Sequence, residues 1–136
     1  MKTRYHIATV LIFLCFFIHI IGGELTDIRS LVNSGLAANI QVELRAVWYL
    51  AGVDFLLSGI FMILILRKKK LDENKLLINF IGIRMMLYGI LFLIVVSAMN
   101  CGILEAPQWI LLISIGVLYE WDFLKLSLNR RKKINN

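Results

Sequence analysis

The sequence predicts an all-α integral membrane protein: a bundle of four antiparallel transmembrane helices with a short interfacial helix on the outer side. Sixty per cent of the 136 residues are hydrophobic and the mean hydropathy is +0.80, whereas a soluble domain is about 45–50% apolar. The apolar residues gather in four stretches, and lysine and arginine cluster between them. These observations predict one four-helix transmembrane domain covering residues 1–136.

Each of the four stretches is about long enough to cross a bilayer, because a hydrocarbon core about 30 Å thick needs roughly 20 apolar residues in a helix. The predicted spans are 5–21, 46–66, 76–98 and 107–126. Basic residues precede the first span, as they do in a cleaved signal peptide. The Gly22-Gly23-Glu24 sequence that follows is a poor cleavage site. We therefore expect an uncleaved span, with cleavage as the alternative.

The positions of the basic residues predict the orientation. Lys2 and Arg4 precede the first span, and further basic clusters lie in the loop 67–75 and in the tail 125–133. The connection 99–106 contains no lysine or arginine. When four spans are threaded through a bilayer, all basic clusters fall on one side, which the positive-inside rule makes the cytoplasm. The predicted location is the plasma (cell inner) membrane, with both termini cytoplasmic.

The segment 24–45 is the only long connection between predicted spans. Leu25, Ile28, Val32 and Leu36 recur in it at steps of three or four residues, which is typical of a helix with one apolar face. We expect this helix to lie at the outer membrane interface and to cover the bundle. A lid that gates access of a ligand is the alternative.

Two pairs of glycines predict where helices approach each other closely. Gly52 and Gly59 in the second span, like Gly82 and Gly89 in the third, are seven residues apart and therefore share a helix face. In lipid, small residues at such spacing let helix backbones pack closely. Because the short loop makes the second and third spans antiparallel neighbours, we expect the two glycine faces to meet.

Among the ionisable residues of the predicted spans, four are candidates for contacts within the membrane: His19, Asp54, Arg84 and Glu120. Asp122 and Lys125 fall near the inner interface, where we expect them to be hydrated. An isolated charge at the bilayer centre costs at least about 2.5–3.5 kcal/mol, so each charge should have a partner. If the glycine faces meet, Asp54 and Arg84 point apart, and the expected contacts are His19–Asp54 and Arg84–Glu120. A direct Asp54–Arg84 contact is the competing arrangement, and an offset in depth of roughly 7–8 Å argues against it. These contacts are either structural or functional.

No motif for catalysis, metal binding or cofactor binding occurs in the sequence: it lacks HExxH, clustered cysteine ligands and a glycine-rich phosphate loop. Cys15 and Cys101 fall at different predicted depths, too far apart for a disulfide. The net charge of +6 flanks the spans rather than forming a separate basic surface, so we expect no nucleic-acid partner. The basic tail, Arg130 to Lys133, is expected to attract anionic lipid.

These features predict a non-enzymatic membrane component or accessory subunit, in a homo-oligomer or a larger membrane complex. The alternative is a small oligomeric transporter or channel that uses Asp54 and Glu120 as proton or cation sites. A third hypothesis is a membrane-embedded enzyme with His19, Asp54 and Glu120 as acid–base groups.

Overall fold

A computed structural model describes residues 3–100, 102–104 and 107–134, with residues 122–134 described by their backbone alone. This part of the chain is helical and contains no strand, which confirms the predicted all-α class for the residues described. Its four helices are α1 (Thr3–Val32), α2 (Ala38–Arg67), α3 (Lys75–Ala98) and α4 (Gln108–Ile134).

Three of the helices are long and apolar enough to cross a membrane. Helices α1 and α2 have 30 residues each and α3 has 24, and at 1.5 Å per residue each is longer than a hydrocarbon core about 30 Å thick. The apolar part of α4, Gln108–Trp121, is shorter. The predicted fourth span therefore extends into residues whose side chains are not described, as does the basic tail. Cys101 also lies outside the described residues.

The separate interfacial helix predicted for 24–45 is not present. Residues 24–32 continue α1, and α2 already begins at Ala38. Only residues 33–37 connect the two helices, and the turn there uses Gly35 with a positive φ of 71°, a conformation that glycine adopts without steric cost. The apolar spacing was correctly interpreted as helical, but these residues do not form one buried face: Ile28 is only 2% exposed, whereas Leu25 and Val32 are 66% and 50% exposed.

Helix α1 changes its backbone geometry near its middle. It is α-helical over Thr3–Phe17, π-helical over Ile18–Gly22 and Glu24–Ile28, and α-helical again over Arg29–Val32. Wider π-helical turns are rare inside α-helices, and those that occur are often found at functional sites. Here they mark the region in which α1 contacts the first half of α2.

All four helices contribute to one apolar core. Its fully buried side chains include Ile12 from α1, Met62 from α2, Met85 from α3 and Ile115 from α4. Helix α1 packs against α2 and α4, and α3 packs along α4. The backbones of α2 and α3 hardly approach each other, although these helices are consecutive in the chain. The order around the core is therefore α2, α1, α4, α3, and we call the gap between α2 and α3 the open seam.

Candidate functional site

An ion pair crosses the open seam. Arg84 Nη1 on α3 lies 2.8 Å from Asp54 Oδ1 on α2. Arg84 Nη2 also donates a hydrogen bond to the Ser58 hydroxyl, which in turn donates to the Asp54 carbonyl oxygen at 2.6 Å. The four-residue spacing places Asp54 and Ser58 on one face of α2. The side chains of Arg84 and Asp54 remain 22% and 25% exposed, so the pair lies at the edge of the bundle.

The predicted contacts His19–Asp54 and Arg84–Glu120 were wrong, because the direct Asp54–Arg84 contact is formed instead. The physical reason is the length of the arginine side chain. A guanidinium can bridge two helices whose backbones do not pack, so an estimated offset in depth between the two Cα positions did not prevent the contact. The open seam is thus crossed by side chains rather than closed by backbone packing.

The glycines of α2 face α1 rather than α3. A Cβ atom added at Gly59 would lie 2.8 Å from the ring of Phe13. One added at Gly52 would lie 3.2 Å from Ile20 Cγ1, with another atom of that side chain closer still. The prediction that these glycines permit close packing of helices agrees with the structure, whereas their predicted partner was wrong.

The glycines of α3 face α4 in the same manner. An added Cβ at Gly89 would lie 3.1 Å from the backbone nitrogen of Ile113, and one at Gly82 would lie 2.8 Å from Tyr119 Cβ. Gly116 on α4 was not among the predicted packing glycines, yet a Cβ there would lie 2.7 Å from the Gly82 carbonyl oxygen. Because Gly116 has no second glycine seven residues away, the spacing that revealed the other pairs did not reveal it.

His19 is engaged with Trp48 across the contact between α1 and α2. Its Nε2 lies 2.8 Å from the Trp48 carbonyl oxygen, and since a carbonyl only accepts, the histidine donates. Trp48 Nε1 donates to the His19 carbonyl oxygen at 3.2 Å. The two rings are stacked, with centroids 4.1 Å apart. Gly23 lies directly beneath the indole, which leaves no room for a Cβ atom. This reciprocal His19–Trp48 contact is a packing arrangement between α1 and α2.

A second polar group lies next to that contact, farther along α1. Arg45 Nη2 is 2.7 Å from Glu24 Oε1, and the Tyr49 hydroxyl donates to Glu24 Oε2 at 2.6 Å. Both residues of the ion pair fall outside the predicted spans, and the sequence analysis did not pair them. Glu24 and Arg45 are the first and last residues of the predicted outer segment, and their opposite charges could have predicted this ion pair.

Glu120 lies at the other end of the bundle, between α4 and α3. It is only 6% exposed, and its Oε1 lies 2.9 Å from the position that a Cβ on Gly82 would occupy. This oxygen has no hydrogen-bond partner among the described residues. Close by in the chain, the Tyr119 hydroxyl is 3.2 Å from the Thr9 hydroxyl, which links α4 to α1.

The structure therefore divides the four predicted residues among three places: His19 with Trp48, Asp54 with Arg84, and Glu120 against Gly82. Within the described part of the chain, no group of three or more histidine, cysteine, aspartate or glutamate side chains converges to hold a metal ion. No family model, curated protein or solved structure matches the chain. The function must therefore be argued from these contacts.

Proposed function

We propose that the protein is a small, non-enzymatic component of a membrane assembly that crosses the plasma membrane four times, with both termini in the cytoplasm. We further propose that a transmembrane helix of a neighbouring subunit lies against the open seam. The observation that carries this proposal is the Asp54–Arg84 ion pair, which joins two helices whose backbones do not pack.

The ion pair itself favours a structural role for the two charges. A charge alone at the bilayer centre costs at least about 2.5–3.5 kcal/mol, and pairing offsets part of that cost for both residues. One oxygen of the Asp54 carboxylate already accepts from a guanidinium at 2.8 Å. A cation that bound to Asp54 would have to displace Arg84 or lie beside its positive charge, which disfavours cation binding.

The surroundings of the ion pair favour a protein neighbour. Large apolar side chains that are about half exposed flank it on both helices: Leu57 and Phe61 on α2, Phe80 and Leu87 on α3. Lipid tails offer no hydrogen bonds to polar groups at the edge of a bundle. A packed helix would exclude lipid from the partly exposed pair and bury these apolar side chains at the same time. Helix packing of this kind is a main source of association energy in membranes.

Site-specific photo-crosslinking in membranes tests the neighbour. The photoreactive residue replaces Leu87, an exposed apolar residue three positions after Arg84 on α3. The matched control replaces Val10, an exposed apolar residue on α1. We expect a protein adduct of one discrete mass at Leu87 and none at Val10. An adduct of twice the mass of the chain identifies a second copy, and any other discrete mass identifies a different subunit. Crosslinks to lipid alone at Leu87 would contradict the proposal.

Glu120 supports a second candidate function, a proton- or cation-coupled transporter. Its carboxylate is buried and one of its oxygens has no partner among the described side chains, which is a feature of proton relays in membrane proteins. Reconstitution into liposomes with a pH-sensitive dye separates the two functions. We expect proton leakage equal to that of empty liposomes. A proton flux that Glu120→Gln abolishes would establish the transporter instead.

A further inference from the structure

A pocket of about 400 Å³ opens between α1 and the first turns of α2, at the end of the bundle opposite the basic loop 67–75. Glu24 and Arg29 of α1 contribute to its polar lining, together with Asn33, which directly follows α1, and Arg45 of α2. Arg29 and Asn33 are four residues apart, so they lie on the same side of the helix. Two guanidinium groups thus face one space, which we call the Arg29 pocket.

The charges of the Arg29 pocket are not balanced. Glu24 is engaged by Arg45 at 2.7 Å and by the Tyr49 hydroxyl at 2.6 Å. Arg29 forms no ion pair and no side-chain hydrogen bond with any described residue. Two arginines against one carboxylate leave the lining with a net positive charge. A planar guanidinium without a partner offers two parallel N–H groups, the geometry that suits a phosphate group.

In the proposed membrane placement, the Arg29 pocket lies at the depth of the headgroup layer of the bilayer. Trp48 and Tyr49, aromatic residues of the kind that lie at membrane interfaces, are level with its lower end, because Tyr49 contacts Glu24 directly. The pocket extends from there away from the apolar centre of the helices. Its apolar lining, formed by Leu25, Ile28 and Val32, continues the apolar surface of α1 up to the two arginines.

We propose that the Arg29 pocket binds the phosphate group of an anionic phospholipid. The Arg29 guanidinium donates to two phosphate oxygens, Arg45 supplies a second positive charge, and the exposed side chains of Leu25 and Val32 contact the apolar part of the lipid beside the headgroup. The net positive lining favours a lipid with net negative charge over a zwitterionic one. The proposal rests on the proposed function only for the membrane placement of the helices. It needs neither a neighbouring subunit nor the absence of transport.

Native mass spectrometry of the detergent-solubilised protein, titrated with phosphatidylglycerol, tests this site. The variants are Arg29→Gln, Arg29→Lys and the control Arg67→Gln, which removes an exposed arginine at the opposite end of α2. Loss of a charge-assisted hydrogen-bonded contact weakens binding by about tenfold or more. We expect that loss for Arg29→Gln, a smaller loss for Arg29→Lys because an ammonium lacks the planar fork, and unchanged binding for Arg67→Gln.

Several results would overturn the proposal. Equal binding by Arg29→Gln and the unmodified protein would place the lipid elsewhere. An equal loss in Arg67→Gln would mean that the lipid responds to overall charge. Displacement of the lipid by inorganic phosphate would indicate a site for a free anion, and equal binding of phosphatidylcholine would contradict the charge preference.

The thermal unfolding midpoint of each variant serves as the control for folding. Because Arg29 is exposed, the midpoint of Arg29→Gln should equal that of the unmodified protein. If Arg29→Gln is unstable, the lipid binding of Arg29→Lys decides. The crosslinking at Leu87 is independent of all these results.

Discussion

Arg84 is the residue on which the contact between α2 and α3 depends. Its guanidinium serves both the Asp54 carboxylate and the Ser58 hydroxyl, and no other described charge pair joins these two helices. The arrangement is not fully satisfied, because Arg84 Nε is a buried atom without a hydrogen-bond partner in the described part of the chain. Each unsatisfied group of this kind costs about 1–3 kcal/mol. The pair therefore specifies how α2 and α3 face each other more than it stabilises them.

Removal of Arg84 should harm the protein more than removal of the whole pair. Arg84→Leu leaves the Asp54 carboxylate without its cation, and an isolated charge at the bilayer centre costs at least about 2.5–3.5 kcal/mol. We expect the folded yield in fluorescence-detected size-exclusion chromatography to fall several-fold. Addition of Asp54→Leu should restore most of it, because no unpaired charge then remains.

The matched control combines Arg84→Leu with Glu120→Leu, which removes a carboxylate that Arg84 does not contact. This double variant should be at least as poorly folded as Arg84→Leu alone. If it recovers the yield and the Asp54→Leu combination does not, Arg84 and Glu120 form the pair in the membrane.

The sequence predicted which residues need partners but not which partners they have. The cost of a charge in lipid applies to Asp54 and Arg84 wherever they point, so their importance follows from hydropathy alone. The choice of partner depends on how each helix is rotated about its axis. Glycine spacing indicates that a close approach occurs, and it does not indicate which neighbouring helix makes that approach.

Helices α1 and α2 form a continuous antiparallel contact that begins within the apolar region and extends beyond it. Gly59 lies against Phe13, and farther along the same contact Gly52 lies against Ile20. Trp48 and His19 exchange hydrogen bonds next, and Arg45 reaches Glu24 last. The predicted first span stops at residue 21 and the predicted second span begins at residue 46, because the length of each span was estimated from the thickness of the bilayer. Both helices instead continue beyond that estimate and past the contact between Arg45 and Glu24.

The adjacent residues Gly22 and Gly23 should respond differently to the same substitution. A Cβ at Gly23 would overlap the rigid indole of Trp48, whereas one at Gly22 would meet its nearest neighbour, Ile18 Cγ2, at 3.8 Å. Forced overpacking typically costs about 1–3 kcal/mol. We expect Gly23→Ala to lower the thermal unfolding midpoint in detergent clearly, and Gly22→Ala to leave it nearly unchanged.

A Trp48→Ala background provides the control for this prediction, because it removes the ring that the new methyl group would meet. Gly23→Ala should cost much less in that background than in the unmodified protein. An equal cost in both backgrounds would mean that the indole does not lie over Gly23.

On the scale of the whole molecule, the chain forms two helical hairpins, α1–α2 and α3–α4, joined mainly by the contact between α1 and α4. Hydropathy predicted four helical segments and the approximate ends of α3, because both depend on local composition. The order of the helices around the core was not predictable in this way. A short loop keeps the ends of α2 and α3 near each other, but it does not force their middles to pack.

The proposed orientation places the loop 67–75 and the connection 99–106 on opposite sides of the membrane. Single cysteines at Lys70 and Ile103, both exposed positions, are introduced after Cys15 and Cys101 are replaced by alanine or serine. A membrane-impermeant thiol reagent applied to intact cells should label the cysteine at position 103 only, and position 70 only after the membrane is opened. Labelling of both positions from the same side would contradict the four-span topology.

The open seam has a consequence for the order in which the helices are connected. The start of α1 lies beside the middle of α4, with the Tyr5 and Tyr119 rings stacked at a centroid distance of 6.0 Å. A flexible linker from α4 to α1, combined with a break in the loop 67–75, would give a circular permutant that runs α3, α4, α1, α2. Every backbone contact between packed helices is retained in that order, and a change in the length of a flexible loop costs only about 0.6 kcal/mol per doubling. The permutant should therefore fold around the same core, with the Asp54–Arg84 pair then joining its first helix to its last.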